Sequence, residues 1–256
     1  MPRMHAPLEP GDPVVPVALV TGAARRVGAA IARELHAAGY ALALHCRRSL
    51  GEAEALAAAL ESARAGSTLV LRAELGEVGA LPALVAAVVG RFGRLDALVS
   101  NASTFYATPF AEATPAQWDE LFASNARAPF FLAQAAAPHL RAARGAIVNI
   151  LDIYAERPLP DYPLYSMAKA ALRMQTLALA QALGPEVRVN AVAPGTVLWS
   201  EQPFKAETEQ AIRERTALGR PGTPEDVARA VRFLLTEARY TTGAVLPVDG
   251  GRLLAT

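Results

Sequence analysis

Residues 14–28 read VVPVALVTGAARRVG, and the fold is decided there. A continuously apolar run, 14–20, enters a turn with glycine at Gly22 and Gly28 and leaves it directly into an amphipathic segment, 27–38, with apolar residues at helical spacing. Continuous rather than alternating apolarity is what a strand needs when helices cover both of its faces, and such strands belong to parallel sheets. Six further runs of this kind follow, at 41–45, 68–71, 97–100, 146–151, 187–192 and 245–248. Between them, Ala/Leu-rich segments predict helices at 51–65, 78–91, 115–140, 163–183 and 224–237. Thr114 with Pro115 and Gln117 spells an N-cap and capping box, and Thr223, Pro224 and Asp226 repeat the arrangement. Strand and helix alternate almost without interruption, which predicts one doubly wound α/β domain in three layers from residue 15 to 256.

Two segments stand outside this rhythm. Pro2, Pro7, Pro10 and Pro13, with Glu9 and Asp12, predict a loose N-terminal arm over 1–14 and interrupt any apolar secretory stretch. Residues 194–222 carry Pro194, Gly195, Pro203, Gly219, Pro221 and Gly222 around a short helical stretch at 205–216. A long irregular connection inside a compact domain is more often a lid than a spacer, so a substrate flap is expected there.

Composition narrows the chemistry. Apolar residues make up 52% and charged residues 19% of 256, a balance that favours a folded globular chain over disorder. With 25 basic against 24 acidic side chains there is no basic excess for nucleic acid, and no apolar run reaches the roughly 20 residues of a membrane span. Cys46 is the only cysteine, which excludes an intrachain disulfide and a cysteine-based zinc site; a reducing, cytoplasmic setting is expected. His5, His36, His45 and His139 have no metal-ligand spacing, so no metal is predicted. Small-molecule chemistry remains.

Three motifs point to that chemistry. Glycines between a first strand and a helix let backbone amides approach a pyrophosphate at the positive end of the helix; a tight strand-to-helix turn is the plainer alternative. About twenty residues beyond Gly28, LHCRRS sets Arg47, Arg48 and Ser49 at the end of the second strand. A bare ribose 2′-hydroxyl needs an acid there, whereas a 2′-phosphate needs cations and donors, so NADPH is expected unless both arginines are solvated surface charges. In YSMAK, Tyr165 and Lys169 lie one helical turn apart, and an ammonium beside a phenol favours the tyrosinate. This spacing predicts a tyrosine whose pKa is lowered toward neutrality for proton transfer.

TGAARRVG, the NAS of Asn101, Ala102 and Ser103, Asn125, YSMAK and the APG of Ala193, Pro194 and Gly195 together resemble the short-chain dehydrogenase/reductase family over about residues 15–251. The resemblance implies a Rossmann-type fold, Tyr165 as proton donor, Lys169 on the nicotinamide ribose, and Asn125 holding a relay water. It implies a cofactor lying along Thr21, Gly22, Arg26 and Val27, then Arg47, Arg48 and Ser49, then Glu74 and Leu75 near the adenine. Asn101, Ala102, Ser103, Pro194 and Gly195 would complete that path. Tetramers of the family pair the helices expected here at 115–140 and 163–183, so a homotetramer is expected.

Two departures are informative. Asp152 stands thirteen residues before Tyr165, where carbonyl-reducing members carry serine, and Arg26 replaces the middle glycine of the loop. Both departures, with HCRRS, NASTFY and YPLYSMAK, resemble the pteridine reductase branch, whose pterin pocket would comprise Arg26, Ser103, Phe105, Asp152, Tyr162 and Tyr165. A carboxyl suits proton relay to a ring nitrogen, with Phe105 offering a flat stacking face and Tyr162 orienting Asp152. Burial would raise the Asp152 pKa while Lys169 would lower it, and the sign stays open. Asp152 as a loop brace and Phe105 as ordinary core are the plainer readings. The expectation is NADPH-dependent reduction of dihydrobiopterin-like or dihydrofolate-like pterins, with reduction of 3-oxoacyl thioesters, or cofactor sensing without catalysis, as rivals.

Overall fold

The computed structural model describes residues 15–197 and 206–254. The N-terminal arm and part of the expected flap, 198–205, therefore lie outside the described residues. Seven strands, β1 (Val17–Val20), β2 (Ala41–Cys46), β3 (Thr68–Arg72), β4 (Ala97–Ser100), β5 (Ala146–Ile150), β6 (Arg188–Pro194) and β7 (Val245–Val248), form one sheet in the order β3-β2-β1-β4-β5-β6-β7. Every pairing is parallel. The order reverses between β1 and β4, which opens a crevice beyond the carboxyl ends of these two strands, the usual ligand position in such sheets.

Alternate residues of each strand feed two cores. Ala18 and Val20 of β1 face Ile31 and Leu35 of α1 (Arg26–Ala37), with Leu56 and Leu60 of α2 (Leu50–Ala63) and Val227 and Val231 of α8 (Pro224–Thr236) in the same cluster. Val17 and Leu19 face the opposite cluster, built from α3 (Leu81–Phe92), α5 (Ala128–Ala143) and α6 (Pro163–Leu183). The unbroken apolar strands are thus explained by burial on both sides. The remaining helices are α4 (Pro115–Phe122) and α7 (Ala206–Glu214). Among the described residues no helix is long and apolar enough to cross a membrane.

The expected 115–140 helix is not continuous. A π turn, Ala123–Arg127, separates α4 from α5, and the second helix runs on to Ala143. Pro129 lies four residues after Asn125 and has no N–H to give to its carbonyl, so the α-helical ladder fails at that point. The expected 78–91 helix likewise begins as a 3-10 turn, Val78–Ala80, before α3. The first strand is shorter than its apolar run, starting after Pro16, and Val15 is exposed. Both capping boxes form: Gln117 and Asp226 accept from the cap amides of Thr114 and Thr223 at 2.9 Å. Of the 194–222 segment, Val197 and Gly222 form a parallel bridge that brings its two ends together.

Candidate active site

At the strand-order reversal, the turn after β1 meets the loop after β4. Gly22 has φ +62°, and a Cβ there would come within 3.0 Å of the Ala102 Cα. Gly28 lies tighter still, since its Cβ would stand 2.1 Å from the Gly22 carbonyl oxygen. Asn101 clamps the turn, its Nδ2 donating to the carbonyls of Thr21 at 2.9 Å and Gly22 at 3.1 Å. The Thr21 hydroxyl accepts from the amides of Asn101 and Ala102 at 2.9 and 3.0 Å. Arg26 occupies φ +53°, a left-handed conformation that costs a non-glycine residue roughly 1 kcal/mol or more. Val27 is half-buried beside it.

The ends of β2 and β3 supply charge. Arg47 and Arg48 are exposed, and Ser49 is half-buried at the start of α2. Arg47 is 3.5 Å from Glu74, whose other oxygen accepts from the Gly76 amide at 3.1 Å. Leu75 is buried in the core cluster beneath. Pro194 ends β6 and Gly195 follows it, pressed against Asp249 so closely that a Cβ would meet its Cα at 2.8 Å. A glycine turn too narrow for side chains, with two exposed arginines at the end of β2, fits a phosphate-bearing dinucleotide. Among the described residues no group of three or more His, Cys, Asp or Glu could hold a metal ion.

The predicted proton-transfer residues converge on the same edge. Tyr165 and Lys169, from the first turns of α6, are only 5% and 2% exposed. The Tyr165 hydroxyl donates to Asp152 Oδ2 at 2.8 Å, while Asp152 Oδ1 accepts from the Tyr154 amide at 3.0 Å. Asp152 thus both braces its loop and grips the phenol. Ser103 donates to Asn125 Oδ1 at 2.6 Å, and the Asn125 amide donates to the carbonyls of Thr104 and Leu121. The Asn125 amide nitrogen is thereby fully used within the protein, and its oxygen accepts from Ser103.

Two expectations are corrected and one open sign is resolved. Lys169 does not make the phenol acidic: Nζ donates to the Ile150 carbonyl at 2.9 Å and lies 5.7 Å from the Tyr165 ring centre. Burial and the adjacent Asp152 instead hold the Tyr165 pKa well above that of an ordinary phenol, against a smaller opposing contribution from Ser103. Burial also lowers the Lys169 amine from 10.5 to about 8, with Asp152 opposing. The open sign for Asp152 resolves upward, because burial outweighs the Tyr154 amide, the phenol and Lys169. Finally, Tyr162 does not orient Asp152. Its ring stacks on Phe105 at 4.7 Å and 11°, while Phe105 meets the Tyr165 ring edge-on at 4.8 Å. Phe105 is 53% exposed and is therefore site wall rather than core; one face is taken by Tyr162.

Sequence reasoning passed over two features. Pro129, which breaks the helix at Asn125, was visible as a proline inside a helical pattern. His45 was set aside as a non-ligand, yet it accepts a hydrogen bond from Gly22; nothing in its spacing announced that contact.

The comparisons agree with this geometry. A family model described as enoyl-(acyl carrier protein) reductase matches residues 22–252. The putative ketoacyl reductase 2 of the granaticin polyketide synthase of Streptomyces violaceoruber is 42% identical over 246 residues, 93% of this chain and 96% of that protein. Pteridine reductase 1 of Leishmania tarentolae is 38% identical over 281 aligned positions, 94% and 97% of the respective chains. L-xylulose reductase of Bos taurus is 34% identical over 247 residues, 92% and 96%. With a parallel seven-stranded sheet, a glycine turn at its reversal point and a tyrosine and lysine one turn apart beside it, the chain belongs to the short-chain dehydrogenase/reductase family of oxidoreductases.

Proposed function

We propose that this protein reduces a C=N bond of a pterin with NADPH. The observation that carries the reading is the half-buried Asp152, whose carboxyl is hydrogen-bonded at 2.8 Å to the Tyr165 hydroxyl. In a carbonyl reductase, negative charge develops on the substrate oxygen, and a carboxylate at this position would oppose it. A pterin imine takes a proton at nitrogen, and a carboxyl whose pKa is raised by burial is a competent donor. Tyr165 and Asp152 together hold that proton, the neutral phenol giving it up and the carboxyl restoring it. The nicotinamide, when bound, supplies the hydride. Lys169, fixed by the Ile150 carbonyl, would hold the nicotinamide ribose, and Arg47, Arg48 and Ser49 would receive the 2′-phosphate. Phe105, stacked on Tyr162 through one face, offers its exposed face for a pterin to stack on. Asn125, with its carbonyl released from the helix by Pro129, would order the relay water.

Reduction of a 3-oxoacyl thioester is the second reading, favoured by the 42% identity to a putative ketoacyl reductase. NADPH oxidation measured in parallel with dihydrobiopterin, dihydrofolate and an acetoacetyl thioester separates the two. Pterin turnover is expected; turnover of the thioester alone eliminates the pterin proposal, and no turnover with any of them favours a cofactor sensor. Pairing of α5 and α6 between subunits, where Phe130 is exposed, would give a homotetramer.

A further inference from the structure

We propose that His45 is a positioning residue for the dinucleotide, the imidazole that locks together the three loops forming its adenosine side. Gly22, in the turn after β1, donates its amide to Nδ1 at 3.2 Å. Nε2 lies 3.2 Å from the carbonyl oxygen of Ala73, in the loop after β3 and next to Glu74. A backbone N–H on one ring nitrogen and a carbonyl on the other leave one arrangement: neutral imidazole with its proton on Nε2. Burial lowers the His45 pKa, which favours that neutral form; the nearby Glu74 carboxylate acts in the opposite direction and more weakly.

The backbone of the same strand end continues the lock. The His45 carbonyl accepts from the Ala23 amide at 2.9 Å, so one residue holds two successive amides of the glycine turn. Cys46 accepts from the Ala73 amide at 3.2 Å, and Arg47 reaches Glu74 at 3.5 Å. The ring is 2% exposed and cannot itself touch a ligand. Its target is a glycine at φ +62°, the residue type with the most freedom to leave its conformation when nothing outside holds it. A turn already ordered before binding spares the dinucleotide the cost of ordering it.

The inference rests on the dinucleotide reading of this site, and the test separates the two. Dissociation constants of NADPH and NADH are measured by fluorescence titration for the parent, His45→Leu and His45→Asn, with the melting temperature of each apo protein. Turnover at saturating dinucleotide is followed with whichever of dihydrobiopterin, dihydrofolate and the acetoacetyl thioester the parent reduces. Leucine fills the volume without an acceptor, whereas asparagine places Oδ1 where Nδ1 accepts from Gly22. His45→Leu should weaken both dinucleotides on the order of tenfold, the value of one hydrogen bond, with saturated turnover within about twofold of the parent. His45→Asn should recover affinity to within about threefold of the parent by the same count. A fall in melting temperature with unchanged dissociation constants, equal affinities for the leucine and asparagine variants, or a loss confined to turnover would overturn the proposal. If His45→Leu does not fold, His45→Gln replaces it: its amide reaches toward Ala73 but leaves Gly22 without an acceptor, so it must bind more weakly than His45→Asn, and equal binding is again fatal. A parent that binds neither dinucleotide sinks the site reading and the His45 role together.

Discussion

Gly28→Ala tests the architecture of the cofactor turn directly. The new methyl carbon would stand 2.1 Å from the Gly22 carbonyl oxygen, 2.7 Å from Asn101 Nδ2 and 2.9 Å from the Gly22 carbonyl carbon. Comfortable non-bonded contact lies at about 3.5 Å, so the turn must withdraw from α1 by more than about 1 Å. It is not free to do so. Thr21 donates to Val99 at 3.0 Å, Asn101 holds both Thr21 and Gly22, and His45 holds the Gly22 amide. Withdrawal sacrifices two or three of these bonds at about 1 kcal/mol each, and residual overpacking adds about 1–3 kcal/mol. Alanine returns about 1 kcal/mol of helix propensity, leaving a net destabilisation of about 2–5 kcal/mol. For a domain of this size that corresponds to a melting temperature lower by roughly 4–20 °C. Scanning calorimetry should be run beside Gly90→Ala, an exposed site in α3 where the added methyl meets nothing within 4 Å. That control should gain about 0.5–1 kcal/mol. A Gly28→Ala protein melting within about 2 °C of the parent, less than the shift expected for 1 kcal/mol, would refute the packing argument.

Tyr165→Phe should lower the chemical rate by about 10²–10⁴ with NADPH affinity nearly intact, as for loss of a proton donor; stopped-flow rates and binding titrations check this, and a proportional loss of affinity would make Tyr165 a binding residue. Replacing Arg47 and Arg48 together by alanine should weaken NADPH on the order of tenfold to a hundredfold more than NADH, the value of one charge-assisted hydrogen bond; equal weakening of the two dinucleotides rules out the 2′-phosphate contact. Lys169→Met probes the buried amine. Its pKa of about 8 in the folded chain lies below the ordinary 10.5, so between these pH values the unfolded chain binds the extra proton and stability rises with pH. The parent should gain about 3 kcal/mol on the methionine variant between pH 8 and 10.5, from about 1.4 kcal/mol per pKa unit. Urea denaturation at both ends of the window decides it, and a stability gap that does not move with pH contradicts the assignment.

The layered fold was legible because burial on both faces imposes continuous apolarity on a strand, and seven such runs are written in the chain. The caps at Thr114 and Thr223 were legible because their hydrogen bonds are local, spanning three residues. The break at Asn125 was equally local, signalled by Pro129, and went unread because the surrounding apolar period carried across it. Spacing also placed Tyr165 and Lys169 on one face of a helix. It could not say where the ammonium would go, since that depends on the Ile150 carbonyl presented by a neighbouring strand.

Tertiary structure alone decided the electrostatics. Asp152 and Tyr165 are thirteen residues apart in sequence and 2.8 Å apart in space, and their pKa values rise together because both are removed from water at the end of β5. Chain spacing records which groups exist and which share a helical turn. Desolvation and the meeting of loops some eighty residues apart, as between Thr21 and Asn101, are properties of the packed sheet. The amino-acid sequence therefore determined the family, the layers and the inventory of reactive groups, whereas the sign of each proton equilibrium was set by burial, which no local pattern encodes.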